Sequence, residues 1–171
     1  YCAEQRALNT RRVALMRADL AAIVRAAAQA GVAVLPLKGA AMLERYYAEP
    51  ALRPMADIDL LVRPADLPRL DRVLAELGFQ ALEETARHRT YGRGVPVVVA
   101  WEYEHPDNPR GVEVHTNVGE RLRAINYDIT EALWAGAAPA TFDGAPGLLP
   151  APAGLLHHLL IHTCHNIINR R

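Results

Sequence analysis

The sequence predicts an α+β domain in which a mixed β-sheet is flanked by helices, with further helices at both termini. Residues 3–30 and 155–168 carry apolar side chains at helical spacing, which predicts a helix at each end of the chain. Between them, short apolar or alternating segments typical of strands are separated by turn formers and helical patterns. A chain of 171 residues is long enough to bury one compact core.

Composition and charge exclude several classes of protein. Hydrophobic residues make up 51% of the chain, which is ordinary for a globular domain and unlike a disordered one. The 19 basic residues balance the 19 acidic ones, so we expect no general nucleic-acid binding. No apolar run is long enough to span a membrane, and no signal peptide is visible. Cys2 and Cys164 lie far apart, which favours a cytoplasmic location over a disulfide framework.

The N-terminal helical pattern over residues 3–30 ends at Gly31, a residue that commonly follows a helix. The apolar run 32–37 predicts a short strand. Lys38 and Gly39 then turn the chain into a second helix, which we expect over residues 40–48.

The run Asp57–Val62 predicts a second, buried strand because four of its six residues are apolar. Pro64 suits the first position of a third helix, and Gly78 ends that helix. Residues 79–82 predict a further strand.

The C-terminal half begins with two alternating segments, residues 95–103 and 112–118, joined by a stretch dense in turn formers. This pattern predicts an antiparallel hairpin. Residues 128–136 predict a short helix. Residues 137–152 are rich in Pro, Gly and Ala, which predicts a loop or linker before the last helix.

Three carboxylates form the most informative pattern. Asp57 and Asp59 alternate along one strand, so both side chains project from the same face, where they repel each other unless a cation lies between them. Glu113 supplies a third acid between two valines, although Glu102 or Glu104 remains an alternative, and a solvated strand face remains the simplest other interpretation of the pair. Three such carboxylates on neighbouring strands can hold two Mg²⁺ ions beside a nucleoside triphosphate.

Other polar residues around these acids have candidate roles. Lys38 and the backbone N–H of Gly39, at the start of a helix, are candidates for contacts with phosphate. Arg53 is a further candidate, with a structural ion pair as the alternative. His115 shares a face with Glu113 and is a candidate to orient a carboxylate, to act as a general base, or to be a structural histidine.

Three histidines of the last helix, His158, His162 and His165, follow the i, i+4, i+7 spacing that places them on one helical face. Such a face can bind zinc, as in a metal-dependent phosphohydrolase, or line the pocket of an acceptor substrate. We favour a helix packed near the acids with its histidines partly buried, because a zinc site needs further ligands.

Several of these segments resemble one known family. The segments 37–41, 53–62 and 112–115, together with the helical segment 155–162, are similar to the uncharacterised nucleotidyltransferase family of the DNA polymerase beta superfamily. The resemblance implies a nucleotidyltransferase-like mixed sheet, a magnesium-dependent transfer of a nucleotidyl group, and metal ligation by Asp57, Asp59 and Glu113. Mn²⁺ is expected to substitute for Mg²⁺.

The functional prediction is therefore transfer of a nucleoside monophosphate from a nucleoside triphosphate, such as ATP, to an unknown acceptor hydroxyl on a small molecule, peptide or protein. The alternative is a catalytically silent binding module, antitoxin-like in role, because Ala40 stands where the superfamily usually has a small polar residue. We expect an N-terminal helix packed on the core, a catalytic core, and a loop leading into a C-terminal helical region: residues 1–31, 32–136 and 137–171.

Overall fold

The computed structural model describes residues 2–85, 88–94, 97, 105–122 and 124–169. Within them lie five α-helices: α1 (Cys2–Gln29), α2 (Lys38–Tyr46), α3 (Leu67–Glu76), α4 (Thr130–Ala135) and α5 (Pro152–Asn169). The first five strands are β1 (Val34–Pro36), β2 (Asp57–Val62), β3 (Gln80–Glu84), β4 (His88–Gly92) and β5 (Gly111–His115). The other four are β6 (Gly119–Leu122), β7 (Ile125–Asp128), β8 (Ala138–Phe142) and β9 (Ala145–Leu149).

The central sheet has five strands in the order β1-β2-β5-β4-β3. Strands β2 and β5 are parallel, and the other three pairings are antiparallel. Two separate hairpins, β6-β7 and β8-β9, accompany this sheet. The architecture confirms the predicted fold class, a mixed sheet with flanking helices and with helices at both ends.

Alternation along β2 divides its side chains between two environments. Ile58 and Leu60 enter the larger core, together with Val112 and Val114 of β5 and the apolar face of α1. Leu61 enters a smaller core on the opposite face, with α4 and part of α5. Because successive strand residues alternate, Asp57 and Asp59 share the face of Leu61 and lie away from the larger core.

The structure matches most of the predicted elements, with shifted ends. The second helix begins at Lys38, ahead of the predicted 40–48, and Pro64 starts a 3₁₀ turn, Pro64–Asp66, that leads into α3. Helices α1, α4 and α5 agree with the predictions within a few residues. Among the described residues, no helix combines the length and the hydropathy that a membrane span requires.

The prediction of a loop over residues 137–152 is wrong, because β8 and β9 form an antiparallel hairpin there. Asp143 and Gly144 join the strands, with φ values of 43° and 79°. Two successive positive φ values make the mirror-image turn that suits hairpins, and Asp-Gly is a preferred sequence for it. Pro139 and Pro146 obscured this signal, although a two-stranded ribbon tolerates proline on its outer edges.

The predicted hairpin between residues 95–103 and 112–118 has no described counterpart, because 95–103 lies almost wholly outside the described residues. Strand β5 covers Gly111–His115, and its antiparallel partner is β4, an element that the sequence analysis did not predict. The β6-β7 hairpin was also not predicted.

Candidate active site

The parallel register of β2 and β5 brings the carboxylates together. Asp59 lies directly opposite Glu113, and Asp57 lies opposite Gly111. Paired residues of adjacent strands point to the same face of a sheet, so Asp57, Asp59 and Glu113 all project to the face opposite the larger core. His115, opposite Leu61, extends the polar row on β5. One end of the sheet therefore concentrates three acids and an imidazole.

Asp59 is buried, with 3% of its surface exposed, and it is held by two side chains. Nζ of Lys38 lies 2.6 Å from Oδ1 of Asp59, and Nε2 of His115 lies 3.0 Å from the same oxygen. Burial alone would raise the pKa of Asp59. The hydrogen bond from His115 and the charge of Lys38 outweigh it and lower that pKa to about 2. Asp59 is therefore an anion at any physiological pH.

Asp57 has the opposite electrostatic environment. Burial, together with the negative charges of Asp59 and Glu113, raises the pKa of Asp57 to about 6, although Lys38 partly offsets the effect. The site thus holds more negative charge than its own cations balance. A divalent cation would relieve this excess.

A possible metal-binding group is present among the described residues. One ligand atom each from Asp59, Glu113 and His115 lie within 4.8 Å of one another. His115 Nε2 is 3.8 Å from Oε2 of Glu113, and His88 Nε2 is 3.8 Å from its Oε1. Asp57 lies outside this tight group although it shares the face. Carboxylate oxygens suit hard divalent cations, and an imidazole extends the choice to softer ones.

The start of α2 lies beside these acids. Lys38 is its first residue, and the backbone N–H of Leu37 donates to the carbonyl of Asp59 at 2.9 Å, which ties the helix start to β2. Lys38 has a φ of 41°, an uncommon value for a residue with a side chain. The N–H groups of the first helical turn have no partner within the helix, and they attract anions.

Gly39 packs closely against the loop that precedes β2. A Cβ atom built on Gly39 would lie 3.3 Å from Sδ of Met55 and 3.4 Å from Nη2 of Arg53. Arg53 itself donates from Nη1 to the carbonyl of Pro54 at 2.8 Å. Its guanidinium is therefore held beside the first turn of α2, where Lys38 also lies. Both Lys38 and Arg53 are predicted phosphate contacts, and their roles stay predictions.

Arg12 is an important residue that the sequence analysis missed. Its side chain is 1% exposed and donates to backbone carbonyls of two loops. In the loop before β2 the acceptors are Met55 at 2.8 Å and Ala56 at 2.6 Å. In the loop before β5 they include Asn108 and Pro109, each at 3.2 Å. One guanidinium thereby fixes the starts of both acid-bearing strands. No local signal in the helix distinguishes it from the exposed Arg11.

The histidines of α5 face the same region. His158, His162 and His165 line a cavity of about 150 Å³ together with Lys38, Glu113 and His115. Glu120 of β6, which the sequence analysis did not identify, also lines it, and Nδ1 of His165 lies 2.7 Å from its Oε2. Among the described residues, the possible metal-binding group consists of Asp59, Glu113 and His115 rather than the three helix histidines, and the zinc alternative stays untested. Glu102 and Glu104 lie outside the described residues.

The fold that carries the acidic site has counterparts among solved structures. Solved structures with the same architecture include two of the antibiotic-resistance factor ANT(2'')-Ia. The solution structure has a TM-score of 0.56 at 16% identity and covers 84% of this chain and 69% of that one. The crystal structure, in complex with adenylyl-2''-tobramycin, has a TM-score of 0.57 at 17% identity and covers 87% and 76%. Identities this low establish the fold alone.

A third similar structure is a provisionally assigned nucleotidyltransferase from Thermotoga maritima. It has a TM-score of 0.53 at 13% identity and covers 87% of this chain and 89% of that one. No curated protein matches the chain in sequence. The sequence profile of one family matches residues 2–171, and the chain belongs to that family, described as uncharacterised nucleotidyltransferases. The predicted family is thereby confirmed.

Proposed function

We propose that this enzyme transfers a nucleoside monophosphate from a nucleoside triphosphate to a hydroxyl group of an acceptor. The observation that supports the proposal most is the pairing of Asp59 with Glu113 across adjacent parallel strands, with Asp57 on the same face. Carboxylates clustered in this way beside a helix N-terminus suit phosphoryl-group transfer, which depends on positioning and charge neutralisation.

The acidic residues suit Mg²⁺. Asp57, Asp59 and Glu113 would hold the metal, with two ions expected and Mn²⁺ as a substitute, because oxygen donors are the ligands that these cations prefer. The raised pKa of Asp57 supports the assignment, since burial and then the negative charges of Asp59 and Glu113 disfavour its anion, and a bound cation would favour it. When bound, Mg²⁺ would neutralise charge on the triphosphate and make the acceptor hydroxyl more acidic.

Four further roles in the reaction are assigned to side chains of the site. Glu113 accepts the proton of the acceptor hydroxyl, whose oxygen bonds to the α-phosphorus while the bond to the leaving pyrophosphate breaks. Lys38 and the N–H groups at the start of α2 bind oxygens of the triphosphate. Arg53, held beside Gly39, adds a second positive charge there. His115 keeps the Asp59 carboxylate oriented through their hydrogen bond of 3.0 Å.

The structural neighbour with bound adenylyl-2''-tobramycin suggests where to begin a substrate search. Its bound compound joins an adenylyl group to an aminoglycoside, so ATP and tobramycin belong in the first assay. We propose no general affinity for nucleic acids. Long-range attraction to phosphate backbones requires excess positive charge, and the net charge of the chain is zero.

The test is calorimetric titration of the metal-loaded protein with ATP, CTP, GTP and UTP. At least one triphosphate should bind in the presence of Mg²⁺, and Asp59→Asn should weaken that binding tenfold or more. Asp143→Asn, in the exposed β8-β9 turn, is the matched control and should bind normally. Failure of all four nucleotides to bind, or equal binding by Asp59→Asn, contradicts the proposal.

A crystal soaked in Mn²⁺ distinguishes the enzyme from the catalytically silent binding module. Anomalous scattering at Asp57, Asp59 and Glu113 supports the enzyme. A site that stays empty at a Mn²⁺ concentration that saturates comparable carboxylate sites favours the binding module.

A further inference from the structure

A cavity lies between the acidic end of the sheet and α5, and five of the seven histidines of the chain line it: His88, His115, His158, His162 and His165. We name it the histidine cavity. Its volume of about 150 Å³ is well above the roughly 10–15 Å³ that one water requires, so it has room for part of a ligand. Glu113, the proposed acceptor of the hydroxyl proton, is part of its wall.

His158 is the most informative residue of the histidine cavity. It is 4% exposed, and its Nδ1 is buried without a hydrogen-bond partner among the described residues. A buried polar atom without a partner costs stability, so such atoms are rare in folded proteins. Burial, followed by the nearby charge of Lys38, lowers the pKa of His158 to about 4, which keeps the imidazole neutral. A neutral imidazole has one nitrogen that donates a hydrogen bond and one that accepts. A hydroxyl group can do both, so it can pair with either nitrogen.

The charges around the histidine cavity select among ligands. Two carboxylates, Glu113 and Glu120, line it, and its one lysine, Lys38, is already paired with Asp59. Nδ1 of His165 lies 2.7 Å from Oε2 of Glu120, which ties this carboxylate to α5, and Nδ1 of His162 lies 3.8 Å from its Oε1. An anionic ligand would meet repulsion from Glu120, and also from Glu113 wherever a metal does not neutralise that carboxylate. Hydroxyl groups, in contrast, donate to carboxylates and both donate to and accept from imidazoles.

We infer that the histidine cavity binds the acceptor substrate, that this acceptor is a polyhydroxyl compound without anionic groups, and that His158 hydrogen-bonds one of its hydroxyl groups. This inference rests on the proposed function, because it gives the acceptor a place beside Glu113. The side chain of His158 has an acceptor-binding role: it orients the hydroxyl group and does not exchange protons with it.

Binding is measured without turnover. The full-length protein, labelled with ¹⁵N-histidine, is titrated with myo-inositol and, in parallel, with D-glucose and glucose 6-phosphate. The neutral polyols should shift the resonances of His158, and glucose 6-phosphate should shift them several-fold less at equal concentration because it carries the same ring with negative charge. An equal response to glucose and to its phosphate overturns the inference.

Variants separate binding from folding. His158→Leu removes the unpartnered nitrogen, so it should melt at an equal or higher temperature while its affinity for the polyols falls about tenfold, the effect of one lost hydrogen bond. His158→Asn returns an amide near the position of Nδ1 and should recover much of the affinity. His157→Leu, at the exposed neighbouring position of α5, is the matched control and should bind as the wild type does.

Turnover provides the second measurement. Neutral polyols should increase release of pyrophosphate above the rate with water alone, and His158→Leu should raise the KM for the polyol while leaving the KM for the triphosphate unchanged. A proportional loss in both KM values indicates a structural role and overturns the inference. If triphosphate binding is normal but no polyol shifts His158, this inference fails and the proposed function survives. If no triphosphate binds, the proposed function fails.

Discussion

Nζ of Lys38 lies 2.6 Å from Oδ1 of Asp59, the same oxygen to which Nε2 of His115 comes within 3.0 Å. These contacts stabilise a buried carboxylate whose other neighbours are acidic. Lys38 is also the only lysine in the sequence, where the other basic residues are arginines. A lysine ammonium is compact and turns on a flexible stem, so it can leave a carboxylate for a phosphate more easily than a guanidinium held by two bonds.

Lys38→Met should separate metal binding from nucleotide binding. Loss of the ammonium leaves Asp59 without its closest cation, so the metal-free protein should lose about 1–3 kcal/mol of unfolding free energy. Mn²⁺ should bind no more weakly than to the wild type, because a competing cation is gone, whereas Mg²⁺-triphosphate should bind about tenfold more weakly. Urea unfolding and calorimetry measure the three quantities. Parallel loss of Mn²⁺ and nucleotide affinity would contradict the assignment of Lys38 to phosphate.

Acylation of the single lysine reports where its ammonium lies. Mn²⁺ alone should increase the reaction of Lys38 with an N-hydroxysuccinimide ester, because the cation displaces the ammonium from Asp59. Mn²⁺ with a bound triphosphate should then protect it. Peptide mass spectrometry quantifies the modification, with the N-terminal amine of the same molecule as the internal control. Unchanged reactivity under all conditions would mean that the Lys38–Asp59 pair is permanent.

Asp57→Asn should stabilise the metal-free protein. The pKa of Asp57 is raised from 3.8 to about 6, so the folded state binds its proton more tightly than the unfolded state does. The contribution of Asp57 to the free energy of unfolding therefore falls as the pH rises from about 4 to 6 and is constant above that range. Asparagine cannot ionise, so the variant lacks this loss. Its free energy of unfolding at neutral pH should exceed that of the wild type by about 1–2 kcal/mol, after allowance for solvent screening.

The measurement for Asp57→Asn is urea unfolding in EDTA across that pH range, repeated with Mg²⁺. The difference in free energy of unfolding between the variant and the wild type should appear between pH 4 and 6. It should disappear when Mg²⁺ is added, because the metal stabilises only the wild type. Asp143→Asn should follow the wild type throughout. A difference independent of pH would show that Asp57 carries no excess charge in the folded protein.

The sequence predicted those elements whose cause is local. The apolar run of β2 and the helical spacing of α1 and α5 were sufficient, because burial on one or both faces dictates the pattern. The β8-β9 hairpin was missed because Pro139 and Pro146 outweighed the Asp143-Gly144 turn in a prediction based on composition. Strand β4 was missed because its residues, His88–Gly92, have no apolar alternation, and its identity as a strand depends on pairing with β5.

The candidate site was predictable in part. Alternation on β2 placed Asp57 and Asp59 on one face, and the family resemblance added Glu113 and the start of α2. The contributions of Arg12 and Glu120 depend on contacts between segments far apart in the chain, which no local pattern encodes. Arg12 contacts loops that begin more than forty residues away, and its surroundings in the sequence are those of an ordinary helical arginine.

Arg12→Lys should weaken metal binding at the acidic site although it changes none of the acidic residues. A lysine ammonium cannot reach carbonyls of both loops, so buried acceptors lose their donors and the unfolding free energy should fall by about 3 kcal/mol. Mn²⁺ affinity should fall about tenfold as the starts of β2 and β5 lose their common anchor. Arg11→Lys is the matched control, because Arg11 is exposed and pairs with Asp107 at the surface, and it should change stability by less than about 0.5 kcal/mol. A destabilised Arg12→Lys that binds Mn²⁺ normally would limit Arg12 to a role in stability.

Gly39→Ala tests whether the close approach at the start of α2 serves nucleotide binding. The added Cβ would lie 3.3 Å from Sδ of Met55, which must give by a few tenths of an ångström, and would touch Nη2 of Arg53 at 3.4 Å, so triphosphate affinity should fall about three- to tenfold. Stability should stay within about 1 kcal/mol of the wild type, because alanine favours the helix while the contact with Met55 opposes it. Gly154→Ala in the first turn of α5 is the matched control, since its Cβ would meet Leu133 at 3.2 Å. Calorimetric titration with Mg²⁺-triphosphate should show normal affinity for the control and reduced affinity for Gly39→Ala. Equal affinity in both variants would remove Gly39 and Arg53 from the triphosphate site.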